Sequence, residues 1–314
     1  MGELRRVRVV AKRSSYDIHV RQNKTQRVID LLDQKDVTVA RMRRADEHHL
    51  RTVEEVQRAL DALGLESSFT DRDVTGEITD CDLVITVGGD GTLLWVSHQV
   101  GDIPMVGVNS APQDSVGFLC ATRMGEVRSY LEAVLERRVP RVCVARMQVT
   151  IDGVVQHRRV LNDVLFAHPI PAMTSRYLLE FRGISEEQKS SGLWIATAAG
   201  STAAIRSAGG KALSLRSQKL QFVVREPYLP PETRYAYVKE CFLPGESLTL
   251  RSKMREARVY IDGSRDALSL ELGQAATFSL SDSPLTLLGV SPYATHDRKR
   301  APSSAPPRPI DGAT

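Results

Sequence analysis

The segment Cys81–Val96, CDLVITVGGDGTLLWV, decides how this chain is read. An apolar run stops at Gly88-Gly89-Asp90-Gly91-Thr92 and then turns apolar again, the pattern of a strand, a glycine turn and a helix start. Three glycines let bare backbone N–H groups approach a ligand, and a helix N-terminus behind them adds partial positive charge, so the turn suits phosphate. Asp90 is the odd member. A carboxylate repels phosphate unless it accepts a proton from an attacking hydroxyl or holds a metal ion. Gly-Gly-Asp-Gly is equally a serviceable tight turn, because Gly and Asp tolerate left-handed dihedrals. The flanks shift the balance toward a site: a buried parallel strand running straight into a helix puts the turn at the carboxyl edge of a sheet, where open α/β folds bind ligands.

Working outward, 314 residues suffice for two domains, and a hydrophobic fraction of 42% is that of a globular chain. A net charge of +4, from 42 basic against 38 acidic residues, suits an anionic substrate but is too small to imply nucleic acid. The basic clusters Arg41-Met42-Arg43-Arg44 and Arg298-Lys299-Arg300 carry no interleaved aromatics for base stacking and read as solvated faces. Cys81, Cys120, Cys143 and Cys241 match no metal or redox spacing and read as buried thiols of a reducing compartment. With no signal-like N-terminus and no long apolar run, the expectation is a cytoplasmic protein without membrane contact.

The first 125 residues repeat strand and helix. Strands are expected at Arg6–Ala11, Leu65–Asp71, Asp82–Val87 and Ile103–Asn109, and a glycine-stopped amphipathic helix through Leu50, Val53, Val56, Leu60 and Leu63. A second helix is expected over Tyr130–Arg138. That order predicts a Rossmann-like α/β domain with a mostly parallel sheet. From Val142 the period becomes two, with Asp152-Gly153 as a hairpin signal and further alternations at Ser247–Arg251, Arg258–Ile261, Ala276–Leu280 and Leu285–Leu288. These predict a C-terminal antiparallel β domain. The expected division is 1–125, 126–290, and a Pro- and Ser-rich tail, 291–314, expected to be disordered.

Two stretches in the β region stand out. VLNDVLF, Val160–Phe166, sets Asn162 and Asp163 inside an apolar strand, where they either hydrogen-bond structurally or face a ligand. SSGLWIATAAGSTAAIRSAGGK, Ser190–Lys211, is dominated by small and hydroxyl residues. It fits a tightly packed helix, but fits better a surface on which a nucleotide lies, with Thr197, Ser201 and Thr202 as donors.

Taken together, Gly88–Thr92, Gly107-Val108-Asn109 with Gly117-Phe118-Leu119, Asn162-Asp163, and Thr197 through Gly210 resemble, in order and spacing, the signature motifs of the NAD kinase family over roughly residues 80–290. GGDGT alone is less specific: diacylglycerol and sphingosine kinases share it. The resemblance implies ATP-dependent transfer of the γ-phosphate to the 2′-hydroxyl of the adenosine ribose of NAD or NADH. It also implies Mg²⁺ or another divalent cation, and a homo-oligomer, dimer or tetramer. Carried over, Asp90 is the base, and Gly88, Gly89, Gly91 and Thr92 accommodate phosphates. Asn109 and Phe118 line the adenine side, while Asn162 and Asp163 match an Asn-Glu pair that holds ribose hydroxyls. Thr197, Ser201, Thr202 and Ala203 match the turn and GSTAY stretch that contact the dinucleotide, and Asp262-Gly263 resembles a late Asp-Gly without an assigned role.

The chain departs from that pattern at three places. Ser190-Ser191-Gly192 replaces Gly-Asp-Gly, Ala204 replaces the tyrosine of GSTAY, and Ser110-Ala111-Pro112 replaces a glycine-containing turn. These features look more like the plant-type NADH kinase branch. An aspartate beside nicotinamide favours the cationic, oxidised ring, so Ser191 in its place predicts use of NADH as well as, or better than, NAD. The rival readings are a lipid kinase of the diacylglycerol type and a catalytically weak NAD(P)-binding regulatory protein.

Overall fold

A computed structural model describes residues 4–71, 76–113, 115–231, 234–263 and 267–292. Four strands, β1 (Arg6–Ala11), β2 (Glu66–Asp71), β3 (Leu83–Gly88) and β4 (Met105–Asn109), pair in parallel in the order β2-β1-β3-β4. Between them run α1 (Gln26–Asp33), α2 (Met42–Ala62) and α3 (Asp90–Ser97). Two-residue β5 (Thr122–Arg123) adds to β4 and leads into α4 (Val127–Leu135).

Every residue of β3 is buried because helices cover both its faces. Leu83, Ile85 and Val87 pack with Val56, Ala59 and Leu60 of α2 and with Val127, Leu131 and Val134 of α4. On the opposite face Val84 packs with Leu93 and Val96 of α3. The continuous apolar run that marked β3 in the sequence is this two-sided burial.

After α4, β6 (Arg141–Val144) precedes a change of architecture. There follow β7 (Met147–Ile151), β8 (Val154–Val160), β9 (Asp163–Ala167), β10 (Ser175–Phe181), β11 (Ile184–Ser190) and β12 (Leu193–Ala196). Next come α5 (Ala204–Ser207), β13 (Leu220–Val224), β14 (Lys239–Phe242), β15 (Ser247–Ser252), β16 (Glu256–Ile261), β17 (Ala267–Glu271) and β18 (Ala275–Leu280). Strands β7 to β18 form two six-stranded sheets, ordered β11-β10-β15-β18-β7-β8 and β14-β13-β12-β9-β16-β17, with antiparallel pairing throughout. Their alternating apolar residues interdigitate in one core: Val149, Tyr177, Leu179, Leu250 and Phe278 from one sheet meet Phe166, Ile195, Phe222 and Val259 from the other.

The expected α/β part followed by an antiparallel β part is therefore the observed fold. One strand is placed differently from its expectation. The alternation at Leu285–Leu288, β19, leaves the sandwich and returns to the first sheet, parallel to β4 and antiparallel to β6. Its apolar residues are buried between helices and sandwich, which a period of two cannot distinguish from a sandwich strand. The sheet boundary thus does not follow the linear boundary at residue 125, since α4, β6 and β19 all belong with the first sheet.

Arg146 holds the two crossings between these layers. Fully buried, it donates to Ser97 O and Val100 O at 2.8 Å each, and also to the carbonyls of Ser283 and Pro284 on the returning segment. Burial draws its pKa down to about 10, so it stays cationic at the C-terminal end of α3, where a helix dipole favours positive charge. All four cysteines are free, but only Cys81 and Cys120 are buried; Cys143 is exposed, correcting the expectation of four buried thiols. The tail expectation falls on 293–314, outside the described residues, apart from Ser291 and Pro292.

Candidate active site

The glycine turn lies where β3 meets α3. Gly88 is obligatory there: a Cβ on it would sit 2.2 Å from Thr92 Oγ1. Thr92 N and Leu93 N both donate to Gly89 O, starting the helix at Asp90. Gly91 faces open space, while Thr92 is buried.

Asp90 does not hang free in this turn. Its Oδ2 accepts from Phe118 N at 2.8 Å and its Oδ1 from Leu119 N at 2.7 Å. Two N–H donors fix the carboxylate plane while leaving further lone-pair directions open to a ligand hydroxyl.

The supporting loop is organised by Asn109, whose amide donates to Ser115 O at 3.1 Å and accepts from Ala111 N at 3.0 Å. Both Asn109 and Phe118 thus shape the loop that grips Asp90. Asn109 has spent its amide internally, and Phe118 contributes its backbone while its ring packs against the core beneath α3. Ser110, the departure from a glycine turn, has a structural explanation. Its N–H donates to Gly88 O, while His48 Nδ1 and His49 Nδ1 lie 2.9 Å from its carbonyl and hydroxyl.

In front of Gly89, Asp90, Gly91 and Thr92 lies a cavity of about 620 Å³, walled by Lys12, Arg13, Ile18, Gln22, Asn23 and Ser115. Lys12 and Arg13 were missed by the sequence reading. The available signal was that both follow β1 directly, and parallel β1 and β3 end at the same sheet edge. Arg13 is held by Gln22 at 3.1 Å and Asp71 at 3.5 Å. Two cations opposite a helix N-terminus and a glycine turn make a pocket for a polyanion.

The second group of expected residues gathers where β9 and β12 meet. Asn162 precedes β9, and Asp163 opens it opposite Ala196. Thr197 N donates to Asn162 O at 3.0 Å, and the Thr197 hydroxyl donates to Leu161 O. The Ser201 hydroxyl donates to Ala198 O at 2.7 Å and accepts from Leu213 N at 2.9 Å. Both hydroxyls are fully buried and committed to backbone, so the expectation that they donate to a nucleotide gives way to a structural role. Thr202 and Ala203 are half-buried beside them. This cluster joins the glycine turn through α3, since Leu93 and Val96 share a core with Leu161 and Ala199. Ser191 is not brought to this place. It precedes β12 while Thr197 follows it, so the four residues of that strand, about 13 Å at about 3.3 Å per residue, lie between them.

Asp163 is buried. Burial, and then the charge of Asp262, push its pKa from 3.8 up to about 7. The folded state thus holds this proton more tightly than the unfolded chain. The stability that it contributes is complete below pH 3.8 and is lost as pH rises toward about 7. Asp163→Asn is therefore expected to melt higher than the native chain at pH 8, with the advantage shrinking toward pH 5. A difference in melting temperature that does not vary with pH would refute the shift.

An aspartate held by backbone donors in a glycine turn, at a helix N-terminus and opposite two cations, defines the phosphoryl-transfer class of site. Comparison with known proteins narrows the class. A family model described as the ATP-NAD kinase N-terminal domain matches residues 9–139. A probable NADH kinase of Oryza sativa subsp. japonica is 35% identical over 235 residues, covering 68% of this chain and 72% of the rice protein. The NADH kinase of Arabidopsis thaliana is 34% identical over 266 residues, covering 73% and 78%. Among solved structures, an NAD kinase from Archaeoglobus fulgidus in complex with ATP superposes with a TM-score of 0.64 at 18% identity, covering 91% of this chain and 94% of that one. The chain belongs to the NAD kinase family.

Proposed function

We propose that this chain transfers the γ-phosphate of ATP to the 2′-hydroxyl of the adenosine ribose of NAD or NADH, giving NADP(H). The observation that carries the proposal is the Asp90 carboxylate, fixed by Phe118 N and Leu119 N at the mouth of the cavity bearing Lys12 and Arg13. Asp90 orients the ribose hydroxyl and accepts its proton. The N–H groups of Gly89, Asp90 and Gly91 and the two cations neutralise the transferring phosphates, which is most of what phosphoryl transfer asks of a protein. Asn162 and Asp163, together with Thr202 and Ala203, form the dinucleotide side, on a base fixed by Thr197 and Ser201.

Mg²⁺ or another divalent cation fits this site in a limited way. Among the described residues there is no cluster of three or more His, Cys, Asp or Glu side chains able to hold a metal, so Asp90 is its one carboxylate at the turn. Asp90, together with oxygens of the substrate phosphates, would hold such an ion, which would supply positive charge to the transferring phosphates. A cytoplasmic location, homo-oligomeric assembly and a division into a catalytic region on the first sheet and a dinucleotide-binding region on the sandwich complete the proposal. No helix among the described residues is long and apolar enough to cross a membrane.

The test is incubation of the pure chain with ATP, Mg²⁺ and, in separate reactions, NAD, NADH or a diacylglycerol. Phosphorylated dinucleotide with stoichiometric ADP supports the proposal; phosphorylated lipid, or no transfer at all, overturns it. The NAD and NADH arms also settle which redox form is preferred. Lys12→Ala and Arg13→Ala are each expected to raise KM for ATP about tenfold while leaving KM for the dinucleotide within about twofold, since a charged hydrogen bond to phosphate contributes about 1.5–3 kcal/mol. An equal rise in both KM values would remove these residues from the donor side.

A further inference from the structure

The carboxylate most heavily bonded in the described structure is not Asp90 but Asp262, which the sequence left without a role. Its Oδ1 accepts from Asn162 N at 2.8 Å and Asp163 N at 2.9 Å; its Oδ2 accepts from Leu161 N at 2.8 Å and meets His98 Nε2 at 2.6 Å. The side chain is 1% exposed. Asp262 and Gly263 both adopt left-handed conformations, with φ of 48° and 64°, and Asp262 N donates back to Asp163 O at 2.9 Å. Three successive backbone N–H groups converging on one carboxylate form an anion nest, here filled from within the chain.

The position of His98 gives this nest its meaning. His98 is the residue after α3, the helix that begins at Asp90, and α3 is about 12 Å long at 1.5 Å per residue. One end of a short rigid rod therefore carries the proposed base, and the other end is bonded through Asp262 to the segment carrying Asn162 and Asp163. His98 is itself held: its ring packs edge-on against His157 at 4.6 Å between centroids, and the last turn of α3 is fixed by Arg146. From the opposite side Thr197 holds the carbonyls of Leu161 and Asn162.

We propose that the His98–Asp262 pair is a positioning device that sets the distance between the Asp90 base and the acceptor-binding segment Asn162–Asp163. The proposal rests on the phosphoryl-transfer reading above. Neither side chain touches substrate. Each acts through another group, His98 by extending α3 and Asp262 by ordering three backbone amides. The physical reason for such a device is that transfer between two bound substrates depends on alignment, and a displacement of about 1 Å far from the chemistry costs on the order of 10²-fold in rate.

The pair is tested by comparing His98→Leu with His98→Gln in the full chain. Gln presents an N–H at nearly the position of imidazole Nε2, so it keeps the bond to Asp262, whereas Leu fills similar space without a donor. His98→Leu is expected to raise KM for the dinucleotide about tenfold and to lower kcat by at least as much, with KM for ATP within about twofold. It is also expected to release more ADP per phosphorylated dinucleotide, because a misplaced acceptor leaves bound ATP to water. His98→Gln restores most of the loss, and Asp262→Asn, which puts an amide NH₂ before the converging N–H groups, reproduces His98→Leu. Circular dichroism and melting temperature confirm the folded fraction. If His98→Leu keeps native kinetics, if Gln and Leu lose equally, or if the loss matches the unfolded fraction with no change in KM or ADP ratio, the positioning role is refuted. An inactive native chain refutes instead the reading on which it rests.

Discussion

Asp90→Asn is expected to leave a folded protein whose phosphorylation of NAD or NADH falls about 10²- to 10⁴-fold, the usual contribution of a positioned base. The substitution is nearly isosteric, so binding is retained while the proton acceptor is lost. The loss should therefore appear in kcat, with the KM values for ATP and dinucleotide changing little. A modest structural cost accompanies it. Phe118 N and Leu119 N each donate to one Asp90 oxygen, and an amide can satisfy only one of them. Leaving one donor unmet costs about 1–3 kcal/mol, confined to the loop that grips the turn. Melting temperature measured beside steady-state kinetics separates the two effects. A soluble Asp90→Asn protein with near-native turnover would sink the assignment of Asp90 as base.

The second large effect is expected at Gly200, in the short 3₁₀ turn Ala199–Thr202. An added Cβ would lie 2.1 Å from Asn162 O and 2.5 Å from its carbonyl carbon. Both are backbone atoms, and they cannot step aside. Asn162 O is held by Thr197 N, and the Asn162 N–H is held by Asp262. Gly200→Ala must therefore pry the turn away from the acceptor segment and break these bonds. Overpacking typically costs about 1–3 kcal/mol, and rigid backbone on both sides puts this case at or above the upper end. A fall in melting temperature of about 10 °C is expected, with KM for the dinucleotide rising well beyond KM for ATP. A Gly200→Ala protein with native stability and native dinucleotide KM would show that the turn and the Asn162 segment are free to separate.

These two residues mark how legible the site was. Asp90 could be found because its chemistry is local: strand, glycines, carboxylate and helix start are contiguous, and dihedral preference and helix polarity act within a few residues. Gly200 lies within the small-residue stretch, but the group that those small residues admit is not legible there. The sequence reading put a nucleotide against the small residues, whereas the structure puts Asn162 there. Thr197 and Ser201 carry the same ambiguity. A hydroxyl that bonds a ligand and one that bonds a distant carbonyl look identical in sequence, and the Leu161 carbonyl lies 36 positions from Thr197. Lys12 and Arg13 went unread because their significance depends on which strand lies beside β1.

By itself the sequence determined the two-part architecture, through the change from helical to alternating periodicity after residue 140, and it located the glycine turn with its aspartate between β3 and α3. Both are short-range properties, set by side-chain spacing and backbone preference. The tertiary structure alone decided that β19 returns to the first sheet, that Lys12 and Arg13 face the turn, and that Asp262 gathers the amides of Leu161, Asn162 and Asp163. These are pairings between groups up to about 180 residues apart, as Leu287 of β19 is from Met105 of β4, and no local pattern encodes them. The opening segment kept its central place, and its reach lengthened: the helix that starts at Asp90 ends at His98, whose partner Asp262 holds the other half of the site.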